Sequence, residues 1–114
     1  MMTLVCPGKM DEIKRDHIPA MLEEVMEFLD PKENDVVVDG TLGLGGHAEA
    51  ILKRIGPRGR LIGIDRDERS LRMAKERLRP YLEQAHFVRG DFRDLDRILS
   101  DLGVTQVNGI LLDL

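Results

Sequence analysis

The chain has 114 residues, the size of one domain, and its 42% hydrophobic and 33% charged residues are typical of a globular rather than a disordered protein. No apolar run approaches the roughly 18 residues of a membrane span, and the N-terminal stretch is too short for a signal peptide. The formal charge of -4 argues against general nucleic-acid binding, and one cysteine, Cys6, indicates neither a disulfide nor a metal site. We therefore expect a cytoplasmic protein with no membrane partner and no metal.

Predicted helices and strands alternate along the chain. Residues 1–16 mix proline, glycine and charges without periodicity, so we expect them to form a loose N-terminal arm. A domain is predicted from residue 17 onward, and its first helix begins near Pro19. The later predicted elements are strands at 36–38, 61–65, 87–88 and 109–113, and helices from about Gly46, Asp67 and Leu95.

The predicted strands are apolar throughout, and amphipathic helices separate them. This pattern indicates a parallel sheet covered by helices on both faces, which is a doubly wound α/β fold. The chain ends one residue after the fourth predicted strand, so we expect a fold truncated at that point. Residues 110–112 of that strand would then leave an apolar edge open to self-association.

A glycine-rich turn joins the first predicted strand to the second helix. It reads Asp39-Gly40-Thr41-Leu42-Gly43-Leu44-Gly45-Gly46-His47, and glycines let a ligand lie against backbone N–H groups at the start of a helix. The spacing fits both the loose dinucleotide fingerprint and the acid-then-glycine pattern of class I methyltransferases, which bind S-adenosylmethionine. Close packing of the strand against the helix would also explain the glycines.

An acid ends or follows each of the four predicted strands: Asp39, Asp65, Asp91 and Asp113. Because parallel strands end at one edge of a sheet, these carboxylates should line the edge where such folds bind ligands. They could accept hydrogen bonds from ribose and attract the positive groups of S-adenosylmethionine, or they could cap helices and turns. Asp65, about 20 residues after the glycine turn, is the strongest ribose-binding candidate, for NAD and for a methyl donor alike.

Phe92 and His47 are two further candidates for a cofactor site. Phe92 could cover an adenine face or belong to the core, and His47, in the first turn of its helix, could donate to a cofactor or cap the turn. The methyl donor is favoured over NAD by Asp39, Asp91 and Asp113, and by the lack of a positive group in the loop for a pyrophosphate.

The helix after the second predicted strand is basic, with six basic residues against three acidic ones between positions 66 and 79. A solvated helix face explains such a pattern, and a contact with an RNA backbone is the alternative. The sequence leaves both interpretations open.

Several segments carry a family likeness. The most specific is Asp39–His47, because its Gly-Gly-His goes beyond a bare glycine motif. The others are 17–25, Ile64-Asp65-Arg66-Asp67, Gly90-Asp91-Phe92 and 108–114. Together they resemble the bacterial 16S ribosomal RNA cytosine-N4 methyltransferase family called RsmH or MraW, over about residues 17–114. Asn108 departs from the family pattern, which often has an acid there.

The resemblance implies a class I, Rossmann-like methyltransferase fold. It also implies methyl transfer from S-adenosylmethionine to N4 of one cytidine in the 16S ribosomal RNA of the small subunit. The residues that it implies around the donor are Gly45, Gly46 and His47, with Asp65 at the ribose and Phe92 and Asp113 at the adenosine and methionine sides. Asp39 joins this set on chemical grounds alone.

Residues 17–114 are accordingly interpreted as the donor-binding half of a methyltransferase domain. We expect this half to be inactive alone, and the sequence identifies no catalytic residue. An adenosine-binding module without chemistry and one half of an NAD-dependent oxidoreductase are the alternative functions.

Overall fold

A single sheet of five strands organises the fold, which a computed structural model describes for residues 3–6, 22–40 and 46–113. The strands are β1 (Thr3–Cys6), β2 (Val36–Asp39), β3 (Arg60–Asp65), β4 (Ala85–Arg89) and β5 (Gly109–Asp113). Their order across the sheet is β1-β5-β2-β3-β4. β1 runs antiparallel to β5, and the other neighbouring strands are parallel.

Helices cover both faces of this sheet. They are α1 (Leu22–Leu29), α2 (Gly46–Ile55), α3 (Glu68–Arg77) and α4 (Leu95–Asp101), with short 3-10 helices at Arg79–Tyr81 and Phe92–Asp94. Apolar side chains of α1, α2 and α3 share one buried cluster with one face of the sheet, and α4 packs against the other face. No helix within the described ranges is both long and apolar enough to cross a membrane.

The central strands are buried on both faces because successive side chains of a strand point in opposite directions. Val37 and Leu61 pack in the cluster with α1, α2 and α3, whereas Val38 and Ile62 pack in the cluster with α4. This arrangement explains why β2 and β3 carry successive apolar residues, at 36–38 and at 61–62, rather than alternating ones. The predicted doubly wound α/β fold with four parallel strands is confirmed.

The prediction of a loose arm over residues 1–16 is wrong at Thr3–Cys6, and residues 7–16 lie outside the described part of the chain. Thr3 pairs in register with Asp113, and Cys6 pairs with Ile110. The apolar run of residues 3–6 therefore gains a ladder of backbone hydrogen bonds along β5. The predicted open edge at residues 110–112 is wrong for the same reason, since β5 is paired on both sides.

Candidate functional site

The direction of the chain across the sheet reverses at β2. From β2 the chain moves to β3 and β4 on one side, and it returns through α4 to β5 on the other side. In doubly wound sheets, ligands bind in the crevice at the carboxyl ends of the strands where the order reverses in this way. The carboxyl ends of β2 and β5, with the start of α2, are therefore the candidate site.

The strand register sets the depth of each acid at this edge. Asp39 lies level with Leu111 of β5 and with Gly63 of β3. Asp65 and Asp113 each follow these positions by two residues, which is a rise of about 6.6 Å along a strand. The sheet thus places Asp39 deepest, and Asp65 and Asp113 stand nearer the rim on either side of it.

The carboxylate of Asp65 is oriented by the backbone that follows it. The N–H of Asp67 donates to Oδ1 of Asp65 at 2.8 Å, and the side chain is half-buried. Asp67 itself caps α3, because its Oδ1 accepts from the N–H of Arg69 at 2.9 Å. The helix cap therefore belongs to Asp67, whereas Asp65 has the turn-capping role considered as an alternative, since its Oδ1 accepts from the N–H two residues on. This bond orients its carboxylate at the edge of the sheet.

Asp91 does act as a cap. Its Oδ1 accepts from the backbone N–H of Arg93 at 3.1 Å and so caps the 3-10 helix of residues 92–94. Its Oδ2 lies 3.7 Å from Nη1 of Arg66 and 3.9 Å from Nε of Arg93. The backbone N–H of Gly90 donates to the carbonyl oxygen of Asp65 at 3.0 Å, so the ends of β3 and β4 remain joined here. Asp91 and Asp65 consequently lie on neighbouring strand ends.

Phe92 is not a core residue. It is 37% exposed, beside the capping acid Asp91 and past the end of β4. The alternative of a buried phenylalanine is therefore wrong, and an aromatic face is available to solvent at the rim. Its contact with adenine stays a prediction.

The start of α2 brings two more predicted residues to the site. Gly46 begins the helix and His47 follows in its first turn. The Nε2 atom of His47 is buried and has no hydrogen-bond partner among the residues that the structure describes. A buried ring nitrogen of this kind is costly unless a polar group meets it. It is consequently a candidate to meet a polar group of a ligand.

The remaining predicted residues are described in part. Asp39 is fully buried, so its carboxylate lies beneath the rim. Asp113 ends β5 at its predicted place, but its side chain lies outside the described residues. Gly45 lies outside them altogether. The roles predicted for these three residues stay predictions.

Gly40 brings the end of β2 close to β5. Its N–H donates to the carbonyl oxygen of Leu111 at 2.7 Å. A Cβ at this position would lie 2.7 Å from Cδ2 of Leu112, the end of a flexible side chain, and 3.3 Å from the backbone oxygen of Leu111. A side chain here would displace Leu112, so the close contact between the strands favours glycine independently of any ligand.

Three arginines lie close together on the β3–β4 side of the edge, which the sequence analysis did not predict. Arg89 and Arg93 flank the Gly-Asp-Phe segment and lie close to Arg66. The signal was present in the sequence, because residues 89–93 read Arg-Gly-Asp-Phe-Arg. In the described parts of the chain no three histidine, cysteine or acidic side chains are grouped as metal ligands.

Comparisons with known proteins agree on one family and one fold. Residues 14–114 match the model of the MraW methylase family. A curated relative from Thermobifida fusca, named ribosomal RNA small subunit methyltransferase H, is 48% identical over 101 residues, which are 86% of this chain and 30% of that protein. The chain thus spans about a third of the length of the curated relatives it matches, with 30% and 35% for two of them.

Two solved structures are similar in fold. A SAM-dependent O-methyltransferase from Thermotoga maritima is similar with a TM-score of 0.61 and 20% identity, over 75% of this chain and 32% of that one. Fibrillarin from Aeropyrum pernix, solved with natively bound S-adenosyl-L-methionine, has a TM-score of 0.55 and 26% identity, over 60% of this chain and 30% of that one. The sheet and its helices are therefore those of a Rossmann-like methyltransferase.

Proposed function

Because this chain belongs to the MraW methylase family, we propose that it forms the S-adenosylmethionine-binding part of an enzyme that methylates ribosomal RNA. The acceptor atom of this proposal is N4 of a cytidine in the 16S ribosomal RNA of the small subunit, as the resemblance implies. The relative from Thermobifida fusca is named for the same class of substrate. The proposal assigns donor binding to residues 17–114.

The position and orientation of Asp65 carry this proposal. Its carboxylate stands at the end of β3, next to the strand that leads into the glycine turn, and the N–H of Asp67 holds it in place. An ionised carboxylate is an acceptor only, so it suits two adjacent hydroxyl donors such as those of a ribose. An oriented acceptor also loses little side-chain entropy when the ligand binds.

The residues around Asp65 fit the remaining parts of the donor. S-adenosylmethionine supplies a methyl group activated by its positively charged sulfonium. His47 offers a buried ring nitrogen that has no partner among the residues that the structure describes, and Phe92 offers an exposed aromatic side chain for a base. In the proposal, Asp113 provides negative charge near the sulfonium and the ammonium. The ligand bound to the archaeal fibrillarin has this same chemistry.

The acceptor amine sets a further requirement. Cytidine N4 is a poor nucleophile, because its lone pair is delocalised into the ring, so a site for it needs hydrogen-bond acceptors and a route for the departing proton. It also needs the amine and the methyl carbon to be held about 3 Å apart and in line, which can account for ~7 to 11 kcal/mol of a barrier. Of the residues in this chain, we assign only Asp113 to the group of side chains that would surround the amine.

Calorimetry with three ligands tests the proposed function. The 114-residue chain is titrated with S-adenosylmethionine, S-adenosylhomocysteine and NAD, and we expect binding of the first two and none of NAD. Binding of NAD alone would overturn the proposal in favour of half of an oxidoreductase.

A methyl-transfer assay separates an enzyme from a binding module. The complete protein that contains this chain receives radiolabelled S-adenosylmethionine and small subunits that lack the modification. We expect label at cytidine N4. Tight donor binding without any transfer by the complete protein would favour an adenosine-binding module instead.

A further inference from the structure

We propose that Arg66, Arg89 and Arg93, together called the arginine cluster, bind the phosphate backbone of the RNA substrate beside the donor site. The proposal rests on the proposed function in one respect, since that function names RNA as the partner. The surface itself follows from the contacts, exposure and charge of these three side chains.

Three different elements bring the arginines together. Arg66 follows β3, Arg89 ends β4, and Arg93 lies in the 3-10 helix after it. The Nε of Arg89 donates to the carbonyl oxygen of Arg66 at 3.4 Å. One carboxylate oxygen, Oδ2 of Asp91, lies between the guanidinium groups of Arg66 and Arg93, at 3.7 Å and 3.9 Å. The cluster is thus a product of the fold and spans residues 66–93.

The ion pairs of the cluster are long. Nη1 of Arg89 lies 3.6 Å from Oε2 of Glu68, and Arg66 and Arg93 both meet Asp91. The side chains of Arg66, Arg89 and Arg93 are 75%, 67% and 79% exposed. Ion pairs that are long and solvated contribute little to stability. The guanidinium groups can therefore exchange these partners for phosphate oxygens at small cost.

Two other arginines of residues 66–79 contact carboxylates within the chain. Arg79 meets both oxygens of Glu76 at 2.7 Å. The Nε of Arg77 donates to Oε2 of Glu49 at 3.2 Å and so ties α3 to α2. Arg77 and Arg79 therefore make contacts within the fold, whereas Arg66, which precedes α3, joins the cluster. The choice between a solvated face and an RNA contact stays open for the exposed basic residues between them.

The position of the cluster favours RNA as the occupant. Arg66 directly follows Asp65, so the cluster borders the proposed ribose contact at the edge where chemistry is expected. Guanidinium groups bind phosphates through paired N–H donors, and such contacts set the position of a nucleic acid without reading its sequence. A backbone held there would extend across the same edge of the sheet as the donor. The net charge of -4 does not oppose this, because the contacts are local.

Three variants of the 114-residue chain test the cluster. The first carries Arg66→Gln, Arg89→Gln and Arg93→Gln, and a second carries lysine at the same three positions. The control carries three glutamine substitutions elsewhere and so removes the same charge from exposed basic residues near the amino edge of the sheet. The positions of this control are Lys32, Arg54 and Arg58.

Affinity is measured by fluorescence anisotropy with a labelled single-stranded RNA, over a series of salt concentrations. We expect the cluster glutamine variant to bind on the order of tenfold to a hundredfold more weakly at about 0.1 M salt, and to lose about two units of the salt slope. The control should retain both, and the lysine variant should retain most of the salt slope because the charge remains. Circular dichroism checks that each variant is folded.

Equal losses in the cluster variant and in the control would overturn the proposal, because net charge alone would then explain them. Unchanged affinity in the cluster variant, or no RNA binding by the unsubstituted chain, would also overturn it. Calorimetry with S-adenosylmethionine on the same proteins keeps the two proposals apart. Donor binding with an inert cluster would refute only the RNA surface, whereas an active cluster without donor binding would refute only the donor site.

Discussion

Replacing Asp65 by alanine should weaken donor binding more than it weakens the fold. Oδ1 of Asp65 accepts a hydrogen bond from the backbone N–H of Asp67 at 2.8 Å, and we propose that the carboxylate also accepts from the ribose. A hydrogen bond to a charged group is worth about 1.5 to 3 kcal/mol, so the Kd for S-adenosylmethionine should rise roughly ten- to a hundredfold. The loss of the internal hydrogen bond should lower the free energy of unfolding by only about 0.5 to 1.5 kcal/mol.

Two further variants make this experiment specific. Asp65→Asn keeps an oxygen that can accept from Asp67 and removes the charge, so it should unfold like the unsubstituted chain and still bind the donor more weakly. Asp101→Asn removes an exposed acid at the far end of α4 and should change neither quantity. Calorimetry gives the Kd and urea denaturation the free energy of unfolding. A Kd that is unchanged in Asp65→Ala, while the variant is folded, would refute the ribose contact.

Three other predictions concern the support of the site. Gly40→Ala should lower the free energy of unfolding by about 1 kcal/mol in urea denaturation, because the new methyl group would meet the flexible end of Leu112 at 2.7 Å and displace it. Asn108→Ala should cost about 0.5 to 1.5 kcal/mol by the same method, since Oδ1 accepts from the first N–H of β2 at 2.9 Å, and Asn108→Asp should recover most of the loss. The hydrogen bond from Arg77 lowers the pKa of Glu49 below its ordinary 4.5. The ionised carboxylate therefore stabilises the fold above pH 4.5, and this contribution is lost as the pH falls through the lowered pKa. The stability difference between the unsubstituted chain and Glu49→Gln, followed by thermal unfolding against pH, should accordingly shrink below pH 4.5.

The parallel sheet and the edge that carries the acids could be predicted because both depend on local pattern. Each strand is a short apolar run, and Asp39, Asp65 and Asp91 follow at equal intervals of 26 residues. Once strands are parallel, their carboxyl ends must share one edge, whatever the details of packing. The family resemblance then implies donor-binding roles for two of the four acids, Asp65 and Asp113.

The surroundings of each side chain could not be predicted, because they depend on residues distant in sequence. For Phe92 the sequence leaves a core position and an adenine contact both open, and only the folded chain shows that this residue is 37% exposed. The arginine cluster requires that the ends of β3 and β4 be adjacent. Asn108 looked like a minor departure from the family, but its amide oxygen takes part in joining β5 to β2.

β1 was not predicted because four residues are too few to show the periodicity that distinguishes a strand. The apolar run of residues 3–6 is followed by proline and glycine, and no periodicity separates a short strand from a loop of this kind. What stabilises β1 is β5, which lies more than 100 positions away and offers an unpaired row of backbone groups on the side away from β2.

Because β1 pairs with β5, β5 is not an edge strand of the sheet. β5 is hydrogen-bonded on both sides: its ladder with β2 extends to Leu111, and Asp113 pairs with Thr3 of β1. The edge strands among those described are β1 and β4, and β1 has only four residues. Short edge strands offer few groups for pairing with another chain, and proteins use them to prevent association. The reason given for self-association therefore no longer holds, and the same strand that removes it supports an acid of the proposed donor site.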